Sequence, residues 1–448
     1  MKRILLPLLL SGCLLAACSD NDSFSADRGN RLTFSADTVA MDTVFSTVGS
    51  STYTFWVFNN SGDGIRLTSV RLKNGNQTGF RANVDGSYLD NTMGSVVSDL
   101  EVRKGDSLRV FVELTAPENN RLDPQPVEDA LVFTLESGVV QTVVLSAHSW
   151  DATPVTDLHI TADTLIESAK PIVVYGKGIQ VDSGAVLTLR NTTLYFHDGA
   201  GVNVGGSLHA ENVVMRGDRL DHMFDYLPYD RVSGQWRGLV FTRSSQGNTL
   251  TDTEIRNAMT AVLLEDSAAI NAESQRLTMT RCVVHNASGG GVVAFNSHIG
   301  LYQCQLTNTL DDCLAVYGGI VDVDHCTLAQ FYPFSANRGS ALRFTDHAPL
   351  TLTCANSIIT GYEDDEIMGE RADSVNAFNY KFSNCLLRTP AVDDDTVSFK
   401  QILWETPKDT IQGKKHFVKI DEENLDYDFH LDSLSTAWGK GCYPAKTQ

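Results

Sequence analysis

Three stretches of this chain carry residue types that suit chemistry on sugars. Asp311 and Asp312 stand side by side ahead of Cys313, and Asp322, Asp324 and His325 alternate with Val321 and Val323 a few residues on. Two carboxylates can act as acid and base on a glycosidic bond only if they face each other across it, about 5 to 9.5 Å apart. Adjacent aspartates do not meet that condition without a further acid from elsewhere in the fold, so a solvated turn at Asp311 and Asp312 is the plainer account. Asp322 and Asp324 share one face of an alternating segment, and two carboxylates fall well short of the roughly six to eight oxygens that calcium takes. His325 then either bonds a corner or joins Asp324 in catalysis. The third stretch, Asp218 to Trp236, supplies Asp221, Phe224, Tyr226, Tyr229 and Trp236, a set in which rings can stack on the apolar face of a sugar while a carboxylate bonds its hydroxyls. Its competing account is a loop that packs the same rings against the body of the protein. The acidic runs Glu363-Asp364-Asp365-Glu366 and Asp393-Asp394-Asp395 read as solvated loops. No Cys-x-x-Cys spacing offers a zinc site, and nothing in the residue set calls for a metal or a cofactor.

Elements that repeat must hold these residues. Four apolar columns recur every 22 residues without a gap: Leu277, Met279, Cys282, Val284, then Ile299, Leu301, Cys304, Leu306, then Val321, Val323, Cys326, Leu328. Allowing loops between rows, the template reaches back through Leu250 and Ile255, Leu208 and Met215, to Leu187 and Leu194. Forward it reaches Leu352 and Ile359, then Phe382 and Leu387. The spacing of two, three and two inside each row describes two short strands joined by a bend, and a second stretch, Gly291 to Phe295 against Cys313 to Tyr317, follows in register. Such rows stack into a coil, in which Cys282, Cys304 and Cys326 form an inward ladder at about 4.8 Å per step. Asn286 and Asn308 fall just after the strand, where an amide can bond backbone at a corner.

Residues 29–150 lack this period. Alternating runs such as Tyr53-Phe55-Val57 and Leu108-Val110-Val112, separated by turn signals at Asn59 to Gly62 and Lys104 to Asp106, predict a β-sandwich. At 448 residues the chain has room for two or three domains of about 150 residues each. Its 35 Lys and Arg against 55 Asp and Glu give a net charge of −20, which excludes a nucleic-acid partner on electrostatic grounds. Lys2 and Arg3, the apolar run from Ile4 to Leu15, and Ala16-Ala17-Cys18 read as an export signal, and no later apolar run reaches the roughly 20 residues of a membrane helix. Seven cysteines lie beyond the signal, all in the second half, and the odd count argues against a complete disulfide framework.

Several of these motifs resemble known families. The rungs, with Gln235 to Phe241 and Asp428 to Ser433, resemble the right-handed parallel β-helix repeat proteins of Bacteroidota over about residues 155–440. Phe55-Trp56-Val57-Phe58-Asn59 and Gln141-Thr142-Val143-Val144-Leu145 resemble the immunoglobulin-like modules of the ciliary-protein (ASH) type. Leu15-Ala16-Ala17-Cys18 resembles a bacterial lipobox, and Ser19-Asp20-Asn21-Asp22 resembles the acidic tether of surface-exported lipoproteins; the resemblance implies lipidation at Cys18 and anchoring to the outer membrane. Asp311-Asp312-Cys313 resembles the Asp-Asp-Cys motif of polygalacturonases, whose other motifs are absent here. Asp322 to His325 resembles the Trp-Ile-Asp-His segment of pectate lyases without its tryptophan. The expected organisation is an all-β protein with a signal at 1–18, a tether at 19–28, a sandwich at 29–150, a linker at 151–164, a β-helix at 165–435 and a tail at 436–448. The expected function is a lipid-anchored envelope protein that binds a glycan or protein surface. A surface lyase or glycoside hydrolase using Asp311, Asp312, Asp324 or His325 is the alternative, and a structural or adhesive stalk the second.

Overall fold

The computed structural model describes residues 23–443 except 90, 91, 93, 268, 269, 373 and 393. Cys18 and Asp393 lie outside the described residues. The chain divides into two compact units, Met1–Asp151 and Ala152–Gln448.

In the first unit two five-stranded sheets enclose one apolar core. Strand Tyr53–Phe58 shows how the sequence builds it: Phe55 and Val57 point inward and are buried, while Trp56 between them is exposed. Where that strand ends, the buried Asn59 amide donates to the carbonyls of Asp63 and Val102 and so closes the predicted turn. The edge strand Thr38–Phe45 pairs in parallel with Val140–Trp150, and the neighbouring pairings are antiparallel.

The second unit is the coil. Among the described residues, 22 strands run from Thr153 to Glu405 and pair in parallel with the rung above and below. Each full rung has three legs, represented by Leu314 to Tyr317, Ile320 to Asp324 and Thr327–Gln330. Every column expected from the sequence is in register: Leu187 opposes Leu208, Ile299 opposes Val321, Leu328 opposes Ile359 and Cys354 opposes Phe382. The bend between the second and third legs is made by Asn191, Asn212, Asp252, Arg281, Gln303, His325, Asn356, Asn384 and Gln401, all left-handed with φ between 46° and 55°. That conformation is costly for most side chains, and asparagine tolerates it best because its short polar group bonds locally.

Just past each bend the backbone N–H turns inward, and the cysteine column answers it. The Cys304 N–H donates to Cys326 Sγ at 3.3 Å, and the Cys326 N–H to Ser357 Oγ at 3.0 Å. The thiols also donate back, Cys282 to the Leu250 carbonyl and Cys326 to the Leu301 carbonyl. The seven described cysteines are free and buried. From Cys282 onward the small side chains of this column therefore hydrogen-bond as well as fill space.

Two expected boundaries are corrected. Residues read as linker are coil, because Thr153–Ile160 and Thr164–Glu167 pair in parallel with the next rung and so form the first rung. At the other end the parallel legs stop at Leu403–Glu405, and Phe417–Asp421 with Asp426–Leu431 form an antiparallel hairpin. Phe417, Phe429 and Leu431 bury the outward side of the third leg, meeting Ala329, Ile358 and Leu386 in a second apolar cluster. Beneath the hairpin, Glu405 accepts from Thr360 at 2.7 Å and pairs with Arg388 and His416, while His416 Nδ1 meets Ser435 Oγ at 3.0 Å. Desolvation pushes the Glu405 carboxyl up, but the bonds from His416, Thr360 and Arg388 outweigh it and hold it below its ordinary value.

Candidate functional site

The coil separates the carboxylates singled out in the sequence. Asp312 is buried and accepts from the Ser340 N–H at 2.8 Å and from Arg343 Nε at 2.7 Å, which ties one rung to the next. Asp311 is exposed beside it, and its N–H bonds the Gly289 carbonyl, so the rung before offers glycine instead of a second acid. Asp324 Oδ1 accepts from Asn356 Nδ2 at 2.7 Å and Asp324 Oδ2 lies 3.1 Å from His325 Nδ1. His325 occupies the left-handed bend, as a corner residue. The rungs flanking Asp322 present Gly300 and Thr353. Among the described residues, no group of three or more His, Cys, Asp or Glu could hold a metal ion.

The insertion divides its aromatic residues between core and solvent. Trp236 is 0% exposed, stacks on Phe196 with ring centroids 4.2 Å apart, and donates from Nε1 to the Arg256 carbonyl at 2.8 Å. It is a core residue, and its expected place in a ligand site is corrected. The reason is that the chain re-enters the coil at this residue, which bridges Ala258 in parallel and joins the core cluster. Asp221 is buried in a two-pronged pair with Arg219, at 2.7 and 2.6 Å, and the Arg219 guanidinium lies 3.9 Å from the Tyr229 ring centroid. Phe224 and Tyr226 stand at the tip of a short hairpin, 54% and 79% exposed, stacked on each other at 5.6 Å.

What the insertion does build is one wall of a cleft of about 350 Å³ on the outward side of the third leg. Asp230 and Arg231 form that wall, the C-terminal hairpin supplies Tyr427, Asp428 and His430 opposite, and Tyr443 and Phe334 complete the rim. The floor comes from three consecutive rungs: Glu254 and Arg256, then Val283 and His285, then Gln305 and Asn308. Outward residues of the third leg alternate with the core column, and Asn308 reaches the floor from the left-handed position after Thr307. Asp230 is held between Arg216 at 2.7 Å and Arg256 at 3.3 Å, and Arg256 also pairs with Glu254. His285 bonds Thr307 Oγ1 at 2.9 Å; desolvation first, and the Arg256 charge second, push its imidazole down to about 4, so it is neutral at physiological pH. His430 stacks on Tyr443 at 4.0 Å, and the Tyr443 hydroxyl, pushed up to about 12 by burial, donates to Gln305 Oε1 at 3.1 Å. Asn308 is 1% exposed, and neither of its amide atoms makes a well-formed hydrogen bond, nor does the neighbouring Tyr427 hydroxyl.

This constellation of aromatic, amide and paired ionic groups can hold a polar, uncharged ligand. Reading the sequence assigned Asn308 to a corner and passed over Arg256, His285, Tyr427 and Tyr443. The available signal was the run of polar side chains at outward third-leg positions in successive rungs, where a solvated coil and a lined cleft look alike.

Residues 158–330 match the family model described as right handed beta helix region. No curated relative matches the chain. Among solved structures, the N-terminal domain of PorA is similar with 15% identity and a TM-score of 0.20, over 27% of this chain and 97% of that one. The ASH/PapD-like domain 7 of human CEP192 is similar at 10% identity and a TM-score of 0.18, over 30% of this chain and 92% of that one. A Porphyromonas gingivalis W83 protein of unknown function is similar at 14% identity and 0.20, over 30% and 58%. These scores carry no inference about fold or activity. Taken with the parallel pairing of all three legs, the family match identifies the coil of the second unit as a right-handed parallel β-helix.

Proposed function

We propose that this protein is a lipid-anchored component of the bacterial cell envelope, attached to the outer membrane through Cys18, whose β-helix binds a glycan in the cleft between the insertion and the C-terminal hairpin. One observation carries the reading: the cleft combines stacked rings with a buried amide that makes no well-formed hydrogen bond, on a floor of three rungs. Concave sites that mix aromatic surface with a few placed polar groups are the common form of small-ligand sites. Binding is favoured over turnover because the acids of the inner cleft are already engaged. Asp230 is clamped by two guanidiniums and Glu254 is paired with Arg256, so neither is placed to pass a proton to a ligand.

A glycan array probed with the detergent-solubilised full chain tests the proposal. Wild type is expected to bind a defined set of glycans, and His430→Ala plus Tyr443→Ala, which removes the stacked pair, is expected to lose that set. Binding unchanged in the double variant would move the site elsewhere on the coil, and a chain that captures a protein partner but no glycan would overturn the reading.

A further inference from the structure

The third leg ends in a column of amides, one per rung: Asn257, Asn286, Asn308 and Gln330. The three asparagines are left-handed, with φ of 62°, 61° and 57°. The main chain uses two members of this column. Asn257 Nδ2 donates to the Asp230 and Val232 carbonyls at 2.8 and 3.0 Å, which holds the insertion down, and Gln330 Nε2 donates to the Asp311 carbonyl at 2.9 Å. At Asn308, where the cleft opens, neither end of the side-chain amide makes a well-formed hydrogen bond, and the side chain it interacts with is the Tyr427 hydroxyl. A buried polar group left unpaired costs stability, so a position that keeps one has a reason to keep it.

Charge narrows what can pair there. The cleft is lined by four carboxylates, Asp230, Glu254, Asp426 and Asp428, against two guanidiniums, Arg231 and Arg256. Arg256 is spent on Asp230 and Glu254, while Arg231 gives one N–H to the Asn424 carbonyl. His285 is held neutral. An acidic sugar would enter a cleft in which carboxylates outnumber guanidiniums four to two.

Resting on the glycan-binding reading, we infer that Asn308 is the specificity-determining residue of the cleft, and that the ligand is an uncharged pyranose presenting a donor and an acceptor side by side, as an acetamido group or a pair of neighbouring hydroxyls does. Either group satisfies both ends of the Asn308 amide at once, while His430 and Tyr443 supply the ring surface against which the sugar lies. Tyr427, on the rim hairpin and next to the amide, is the side chain that yields as the ligand seats. The inference separates this cleft from the polyuronate sites suggested by the Asp-Asp-Cys and Asp-His motifs.

Titration calorimetry on the detergent-solubilised full chain decides it, with a trimer of N-acetylglucosamine, a neutral glucose or mannose trimer and a trimer of galacturonate as probes. One or both neutral probes are expected to bind, and comparison of the two tells the acetamido from the diol. Asn308→Gly keeps the left-handed backbone while removing the amide. It is expected to weaken binding about ten-fold or more, the worth of hydrogen bonds made in a desolvated site, with a melting temperature equal to or above that of wild type. A corner residue with a purely structural role would instead lose melting temperature and keep its affinity, which overturns the assignment of Asn308. Preference for the galacturonate trimer would overturn the ligand class while leaving glycan binding intact. Failure of all three probes, together with an empty glycan array, would remove both.

Discussion

Trp236 shows how the coil claims an aromatic residue that composition would give to a ligand. It sits at the point where the insertion rejoins the rung, and its ring is sandwiched onto Phe196 at an interplanar angle of 9°. Removing a buried indole leaves a cavity that stacked strands cannot collapse, and such truncations typically cost about 3–5 kcal/mol. Trp236→Ala is therefore expected to lower stability toward urea by about that amount, with the unfolding midpoint as the readout. Tyr226→Ala, at an exposed hairpin tip, is expected to change stability by less than about 0.5 kcal/mol. Equal losses in the two variants would contradict the assignment of Trp236 to the core.

At the scale of the rung, the bend residue and the cysteine that follows it work as one device. A left-handed residue turns the chain, the next N–H points inward, and a sulfur or hydroxyl from the rung above receives it. Burial pushes the Cys304 thiol well above its ordinary value and the Cys313 thiol up to about 12, so neither presents thiolate at neutral pH. Because all seven described thiols are buried, they are expected to resist Ellman's reagent in the folded protein and to react together once denaturant unfolds the coil. Rapid native labelling of Cys282, Cys304 or Cys326, located by peptide mapping, would show that the ladder is not sealed.

For the whole molecule, the described residues contain no helix long and apolar enough to cross a membrane. The proposed attachment is through acyl chains at Cys18. Cys18→Ala is expected to shift the protein from the membrane fraction to the soluble one, with a loss of palmitate labelling. A variant that still sediments with membranes would mean that something other than lipid holds it there. The architecture was legible in the sequence because a parallel coil is a local code: period two sets which side chains face inward, the 22-residue step sets which residues stack, and no distant contact is needed to align Leu277, Ile299 and Val321. The ends of the coil were less legible, because Thr153–Ile160 stacks on the next rung with a register shift inside it, and Phe417–Asp421 is defined by the face it covers. The cleft was legible least of all. Asp230, Arg256, His285, Asn308, Tyr427 and Tyr443 come from an insertion, three rungs, a terminal hairpin and the residues after it, and each is an ordinary polar or aromatic side chain in its own neighbourhood. Local periodicity carries the stacking of the coil, but only the tertiary landing of the hairpin across the third leg brings those six side chains to one place.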